Sequence, residues 1–103
     1  MADLDKALGI AVKTGKVLFG ANSALKSAMT GKVRLIVAAS NCEEELRERL
    51  EHYCKMSKIP LIVHPRTSLE LGRICGKPFV VSALAIRELG DSDILEIAVE
   101  TNV

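Results

Sequence analysis

Tryptophan is absent from this 103-residue sequence, and only Phe19, Tyr53 and Phe79 are aromatic. A core must therefore be aliphatic and rich in alanine, and the 49% apolar content is enough to build one. Long hydrophobic runs are missing too: none approaches the roughly 20 residues that a membrane-spanning helix requires. The opening residues, Met1-Ala2-Asp3-Leu4-Asp5, are acidic where a secretory signal is basic, which points to the cytoplasm. Cysteine is scarce and unpaired in pattern. Cys42, Cys54 and Cys75 are odd in number, widely spaced and without a Cys-x-x-Cys motif, which argues against a disulfide scaffold and a zinc site. Reduced, mostly buried thiols are the reading that remains. His64 has no second ligand at metal spacing, and His52 sits among acids on a wet helix face, so neither a metal nor another cofactor is expected. Repeats, linkers and low-complexity tracts are lacking as well, leaving a single domain over residues 1–103.

What is present is unevenly placed. The net charge is only +1, yet residues 15–40 carry Lys16, Lys26, Lys32 and Arg34 with no acid, while residues 88–100 carry five acids and no base. Such segregation lets one part of a surface meet phosphate while another stays in water. The stretch Gly20-Ala21-Asn22-Ser23-Ala24-Leu25-Lys26-Ser27 stands out within the basic half. It follows the apolar run Val17-Leu18-Phe19 and opens an amphipathic helix that ends near Gly31. Strand, glycine, small polar residues and helix together offer a helix N-terminus to an anion. Asn22 and Ser23 either cap that helix or turn their polar atoms to a ligand, and Lys26 lies one turn on, on the same face as Asn22. Amides, a hydroxyl and one cation on an acid-free surface suit a nucleic acid better than a metal or a carboxylate.

In chain order, Leu4, Ala7, Leu8, Ala11 and Val12 form one apolar stripe and predict a helix over residues 3–14, with Asp3 as N-cap and Gly15 as the stop. Residues 16–19 read as a strand. In the helix that follows, Leu25, Ala28 and Met29 are the inward face. Val33 to Ala39 reads as a strand covered on both sides. Ser40-Asn41 ends it, and Asn41 with Glu44 has capping-box spacing for a helix running to about Met56. Leu46, Leu50, Tyr53 and Cys54 form its core stripe. Glu43 with Arg47, Glu45 with Arg49, and Glu51 with Lys55 fall at ion-pair spacing on its wet side. Leu61 to His64 is a strand. Thr67 and Glu70 box a helix over residues 68–75, stopped by Gly76. Phe79 to Ile86 reads as a central strand, Gly90-Asp91-Ser92-Asp93 as a turn, and Ile94 to Val99 as a last strand before frayed residues 101–103. The alternation predicts a three-layer α/β/α sandwich.

Several of these segments resemble one family when taken together. They are Gly20-x-Asn22-x-x-x-Lys26, Leu35-Ile36-Val37-Ala38-Ala39-x-Asn41, Tyr53-x-x-x-Ser57-x-Ile59-Pro60, Leu71-Gly72-x-x-x-Gly76-Lys77-x-Phe79 and Gly90-Asp91-Ser92-Asp93-Ile94-Leu95. In this order and spacing they resemble the archaeal and eukaryotic large-subunit ribosomal protein of the thirty-e type, within the superfamily of kink-turn RNA-binding proteins. The likeness covers about residues 5–98. It implies a sandwich around a mixed sheet of four or five strands, and three loops at one end that hold RNA. From Gly20 to Lys26, the residues used on sheared G·A pairs would be Asn22, Ser23 and Lys26. Asn41 would read a base edge. Phe79 would stack on an extruded base, with Lys77 near phosphate and Val81 beside it. Ser23 stands where the superfamily often has Glu, and Asn22 where the thirty-e type often has a basic residue. The implied partners are rRNA, at a kink-turn or internal loop, and other ribosomal components, with no membrane and a monomeric free protein. A sibling role, as the kink-turn-binding core of a small RNA-modification ribonucleoprotein, is the alternative.

The physics of RNA agrees with that implication. A duplex hides its bases in a deep narrow groove, whereas a kink splays them out to amide edges and aromatic faces. An enzyme is the rival from another class. Cys42 sits in the first turn of a helix, which lowers a thiol pKa, but Glu43, Glu44 and Glu45 oppose the thiolate and His52 lies about 15 Å down the helix.

Overall fold

The five residues Leu35–Ala39 form a strand whose every side chain is buried, and the layers are built outward from it. A computed structural model of the chain describes residues 2–95. The elements run α1 (Ala2–Thr14), β1 (Lys16–Phe19), α2 (Ala21–Thr30), β2 (Leu35–Ala39), α3 (Glu44–Ser57), β3 (Leu61–His64), α4 (Ser68–Ile74) and β4 (Ala83–Glu88). The strands form one mixed sheet in the order β1-β4-β2-β3. β4 is antiparallel to both β1 and β2, while β2 and β3 run parallel through the α3 crossover. The three-layer sandwich around a mixed sheet, here of four strands, is the observed architecture.

Alternation along the strands divides the core in two. Leu35, Val37, Ala39, Leu84 and Ile86 face Ala7, Leu8 and Ala11 of α1 and Leu71 of α4. Ile36, Ala38, Ala83 and Ala85 face Ala24 and Ala28 of α2 and Leu50 and Cys54 of α3. Alanines on both sides of that second layer let α2 approach the sheet closely. Burial raises the Cys54 and Cys75 thiols to about 11, which keeps both inert at neutral pH.

Several boundaries differ from the pattern reading, each for a physical reason. α1 begins at Ala2, so Asp3 lies inside the helix and is not its N-cap. Gly15 is placed by crowding: a Cβ there would stand 2.0 Å from the Glu88 carbonyl oxygen. On α2, Met29 is 58% exposed, because the inward stripe runs through Ala24, Ser27 and Ala28. β2 starts two residues later than Val33, although the Arg34 amide still donates to Ile86. Along α3 the three expected ion pairs are not formed among the described residues; Arg47 instead meets Glu51 at 3.8 Å. Exposed pairs of this kind are worth so little that solvent competes with them.

The largest difference is β4, which begins at Ala83 and not at Phe79. Residues 79–82 are drawn onto α4, where the Val81 amide donates to Ser68 and the Lys77 amide to Gly72. Gly72 permits this approach, since a Cβ there would lie 2.2 Å from the Phe79 carbonyl oxygen. The turn at Gly90 is present, but Ile94 and Leu95 take helical backbone where a last strand is predicted. The rest of that strand, and the frayed residues 101–103, lie outside the described residues. Among the described residues no helix is long and apolar enough to cross a membrane.

Candidate nucleic-acid interface

One end of the sheet gathers the closing residues of β1, β2 and β3 with the opening of β4. Two backbone bonds tie it together. Gly20 donates to the Ala83 carbonyl at 2.9 Å, and Ala39 donates to the Ser82 carbonyl at 2.8 Å. The segments after β1, after β2 and before β4 therefore share a rim.

Gly20 occupies the N-cap of α2 with φ 106°, a backbone conformation that side-chain-bearing residues rarely adopt, and supplies no side-chain cap. Asn22 and Ser23 lie one and two residues inside the helix, so neither is its cap. Their side chains make no hydrogen bond among the described residues, and Asn22 is exposed. The first-turn amides of α2 thus open to the rim uncapped, carrying the partial positive charge of a helix N-terminus. Asn22 lines a groove of about 290 Å³ with Leu25, Leu46, Ser82, Glu43, Glu45 and Arg49. Two carboxylates border it, so the rim is not the acid-free surface that the sequence suggests.

Asn41 behaves differently from the pattern reading. α3 starts at Glu44 behind Glu43, with no side-chain cap, so the Asn41–Glu44 box does not form. The Asn41 Oδ1 accepts from the Ser68 amide at 2.8 Å, 27 residues away, and so helps to cap α4. Its amide NH₂ makes no hydrogen bond among the described residues and remains an open donor.

Across the rim, Phe79 is 51% exposed. Its ring meets Phe19 edge to face at 6.4 Å between centroids, and the Lys77 ammonium sits 4.9 Å over the Phe19 ring. Val81, predicted beside the RNA, is fully buried against the α1/α4 core. It anchors the loop and presents no side-chain surface to solvent. Lys26 is exposed but faces away from this cluster, in a groove with Leu18, Thr30, Lys32, Val33 and Arg87.

Phe19 is the rim residue that sequence reading misses, because its place in an apolar run marks it as core. Its position directly before Gly20, at the strand's mouth, is the signal that could have found it. A second network steadies the neighbouring junction. The fully buried His64 accepts from the Arg66 amide at Nδ1, which leaves its proton on Nε2 to donate to Asp5 at 2.6 Å. Asp5 also accepts from Arg66 Nε at 3.0 Å. With both nitrogens engaged and the ring sealed, His64 is structural. Cys42 is no better a catalyst: burial raises its thiol pKa, with Glu43 and Glu51 acting in the same direction against Arg47.

Comparison with known proteins shows the family and the fold. A family model described as Ribosomal protein L7Ae/L30e/S12e/Gadd45 family matches residues 2–96. The large ribosomal subunit protein eL30 of Methanothermobacter thermautotrophicus is 49% identical over 94 residues, spanning 91% of this chain and 96% of that protein. The proteins of the same name from Methanocaldococcus jannaschii and Methanopyrus kandleri are 44% and 38% identical, each over 92% of this chain and over 86% and 87% of their own lengths. A solved structure, described as a protein with unknown function from Bacillus halodurans C, superposes with a TM-score of 0.81 at 24% identity. It covers 97% of this chain and 99% of that one, and shows the fold alone.

Proposed function

The chain belongs to the Ribosomal protein L7Ae/L30e/S12e/Gadd45 family, and from that premise we propose that it is a structural, non-catalytic constituent of the large ribosomal subunit that binds a kink-turn or related internal loop of rRNA. It acts at the cytoplasmic ribosome, as a monomer when free, beside other ribosomal components. Its relatives carry ribosomal names, which favours this reading over a core protein of a modification-guiding ribonucleoprotein.

The observation that carries the proposal is the half-exposed Phe79, braced edge-on by Phe19 at the end of the sheet where α2 begins without a cap. An extruded base stacks on such a ring for about 1–3 kcal/mol. The amides of Asn22 and Asn41 and the hydroxyl of Ser23 suit the edges of sheared pairs, while Lys77 sits where a phosphate passes. The protein clamps a bent RNA conformer already present in a mixed population. A gel-shift against a kink-turn RNA, and against the same RNA without its tandem G·A pairs, tests this. Tight binding to the first and at least tenfold weaker binding to the second is the expected result. Equal affinity for both overturns the proposal.

A further inference from the structure

Lys26 belongs by sequence to the proposed binding segment, yet its side chain lines a different groove, of about 270 Å³, on the β1 side of α2. Three cations enter that groove from three parts of the chain. Lys26 comes from α2, Lys32 from the turn after it, and Arg87 from β4. No acid is among the lining residues, and none of the three cations has an ion-pair partner among the described residues. The nearby Glu88 is turned to Lys16 at 3.9 Å. The floor is apolar. Leu18 pairs with Ala85 across the β1–β4 ladder and so points to the α2 side, where it remains 39% exposed, and Val33 adjoins it.

The placement matters more than the charge count. α2 begins at the rim, and Lys26 lies four residues beyond Asn22 on it, about 6 Å along the axis. Lys32 follows just past the C-terminal Gly31. The cations thus start where the rim ends and continue down the flank past the end of α2, whose stretch from Asn22 to Thr30 is about 12 Å long.

We propose that this flank is a second, sequence-independent RNA surface: a phosphate track that carries one strand of the helical arm leaving the kink. It rests on the functional reading above and extends it from the kinked loop to the adjoining duplex. Lysine and arginine on long stems, over an apolar floor and without fixed acceptors, suit a repeating polyanion whose phosphates need positioning and no base readout.

The test uses two RNAs with the same kink-turn, one with long arms and one with arms cut back to the loop-closing pairs. Affinity is measured across a salt series for the native protein, Lys32→Ala/Arg87→Ala, and the charge-keeping Lys32→Arg/Arg87→Lys. On the long-armed RNA, the alanine pair weakens binding on the order of tenfold and lowers the slope of log affinity against log salt by about two, one per cation removed. The charge-keeping pair retains the native slope. On the trimmed RNA all three proteins coincide. Phe79→Ala, by contrast, weakens binding to both RNAs and leaves the slope unchanged. Both altered residues are exposed, and a native circular dichroism melt verifies the fold. A native slope for the alanine pair on the long-armed RNA overturns the track, as does an equal loss on both RNAs. The same holds if the alanine pair keeps its RNA slope and loses only the binding of an acidic peptide, which assigns the groove to a protein neighbour. If the native protein fails to prefer the kink-turn at all, the rim falls first, and that result is distinguishable from each of these.

Discussion

The N-termini of α2 and α4 open at the same end of the sheet and are finished in opposite ways. At α4, Thr67 accepts from the Glu70 amide, Glu70 accepts from the Thr67 amide, and Asn41 reaches across from the segment after β2 to the Ser68 amide. At α2, the cap is a glycine that provides no side chain, while the side chains of Asn22 and Ser23 make no hydrogen bond among the described residues. The fold satisfies donors where a helix holds a loop in place, and leaves them open where a ligand is proposed to arrive. Uncapped amides cost little at a wet surface and become useful only when an acceptor docks.

Substitutions can break or sharpen this contrast. The largest effect is expected from Gly72→Ala, which drives a Cβ into the Phe79 carbonyl and costs on the order of 3 kcal/mol of stability, read by denaturant melts. It should also displace the ring and lower RNA affinity, so the braced side of the rim fails in both respects. Phe79→Ala follows: a loss of about 1–3 kcal/mol in kink-turn binding with the melting curve almost unchanged, since the ring is already half in water. Thr67→Ala should cost about 1 kcal/mol of stability through the lost cap and leave base discrimination intact. The same box has a pH signature. Bonds from the Thr67 amide, and then from its hydroxyl, hold the Glu70 carboxyl below its ordinary value of 4.5. Its contribution is therefore fully present above that value and is lost as pH falls through the lower folded one. Glu70→Gln should flatten that acid limb in a melt series from neutrality downward. Smallest is Asn22→Ala, with stability altered by less than about 0.5 kcal/mol and binding weakened by roughly one hydrogen bond, about 0.5–1.5 kcal/mol by titration. A large stability loss there would show that α2 relies on Asn22 after all.

Much of this frame was legible in the residues. The stripe through Leu4, Ala7, Leu8 and Ala11, the apolar run of β2 and the Thr67–Glu70 box are local patterns, and they produced α1 and the buried strand to within two residues at their starts and the α4 start where expected. What escaped is non-local. Asn41 has the spacing of a cap for the helix after it, but takes a partner 27 residues away. Phe79 to Val81 has the composition of a strand, but Gly72 lets the segment dock on α4 before the ladder begins. Val81, expected beside an RNA, has a buried side chain for the same reason, because in a loop laid on a helix one side chain turns in while its neighbours turn out. Of the proposed rim, Gly20, Asn22 and Phe79 are named from sequence, whereas periodicity alone marks Phe19 as core and only its place directly before Gly20 points to the strand's mouth.

Val81 has a further consequence. It is locked in the interior between the exposed Val80 and the sheet, so the ring two residues earlier is mounted on a fixed pedestal. A protein that holds its stacking surface in advance has little of its own to reorganise on association. On the proposed function, differences in affinity from one RNA to another then measure how readily each RNA bends by itself, which makes this small domain a gauge of RNA pliability.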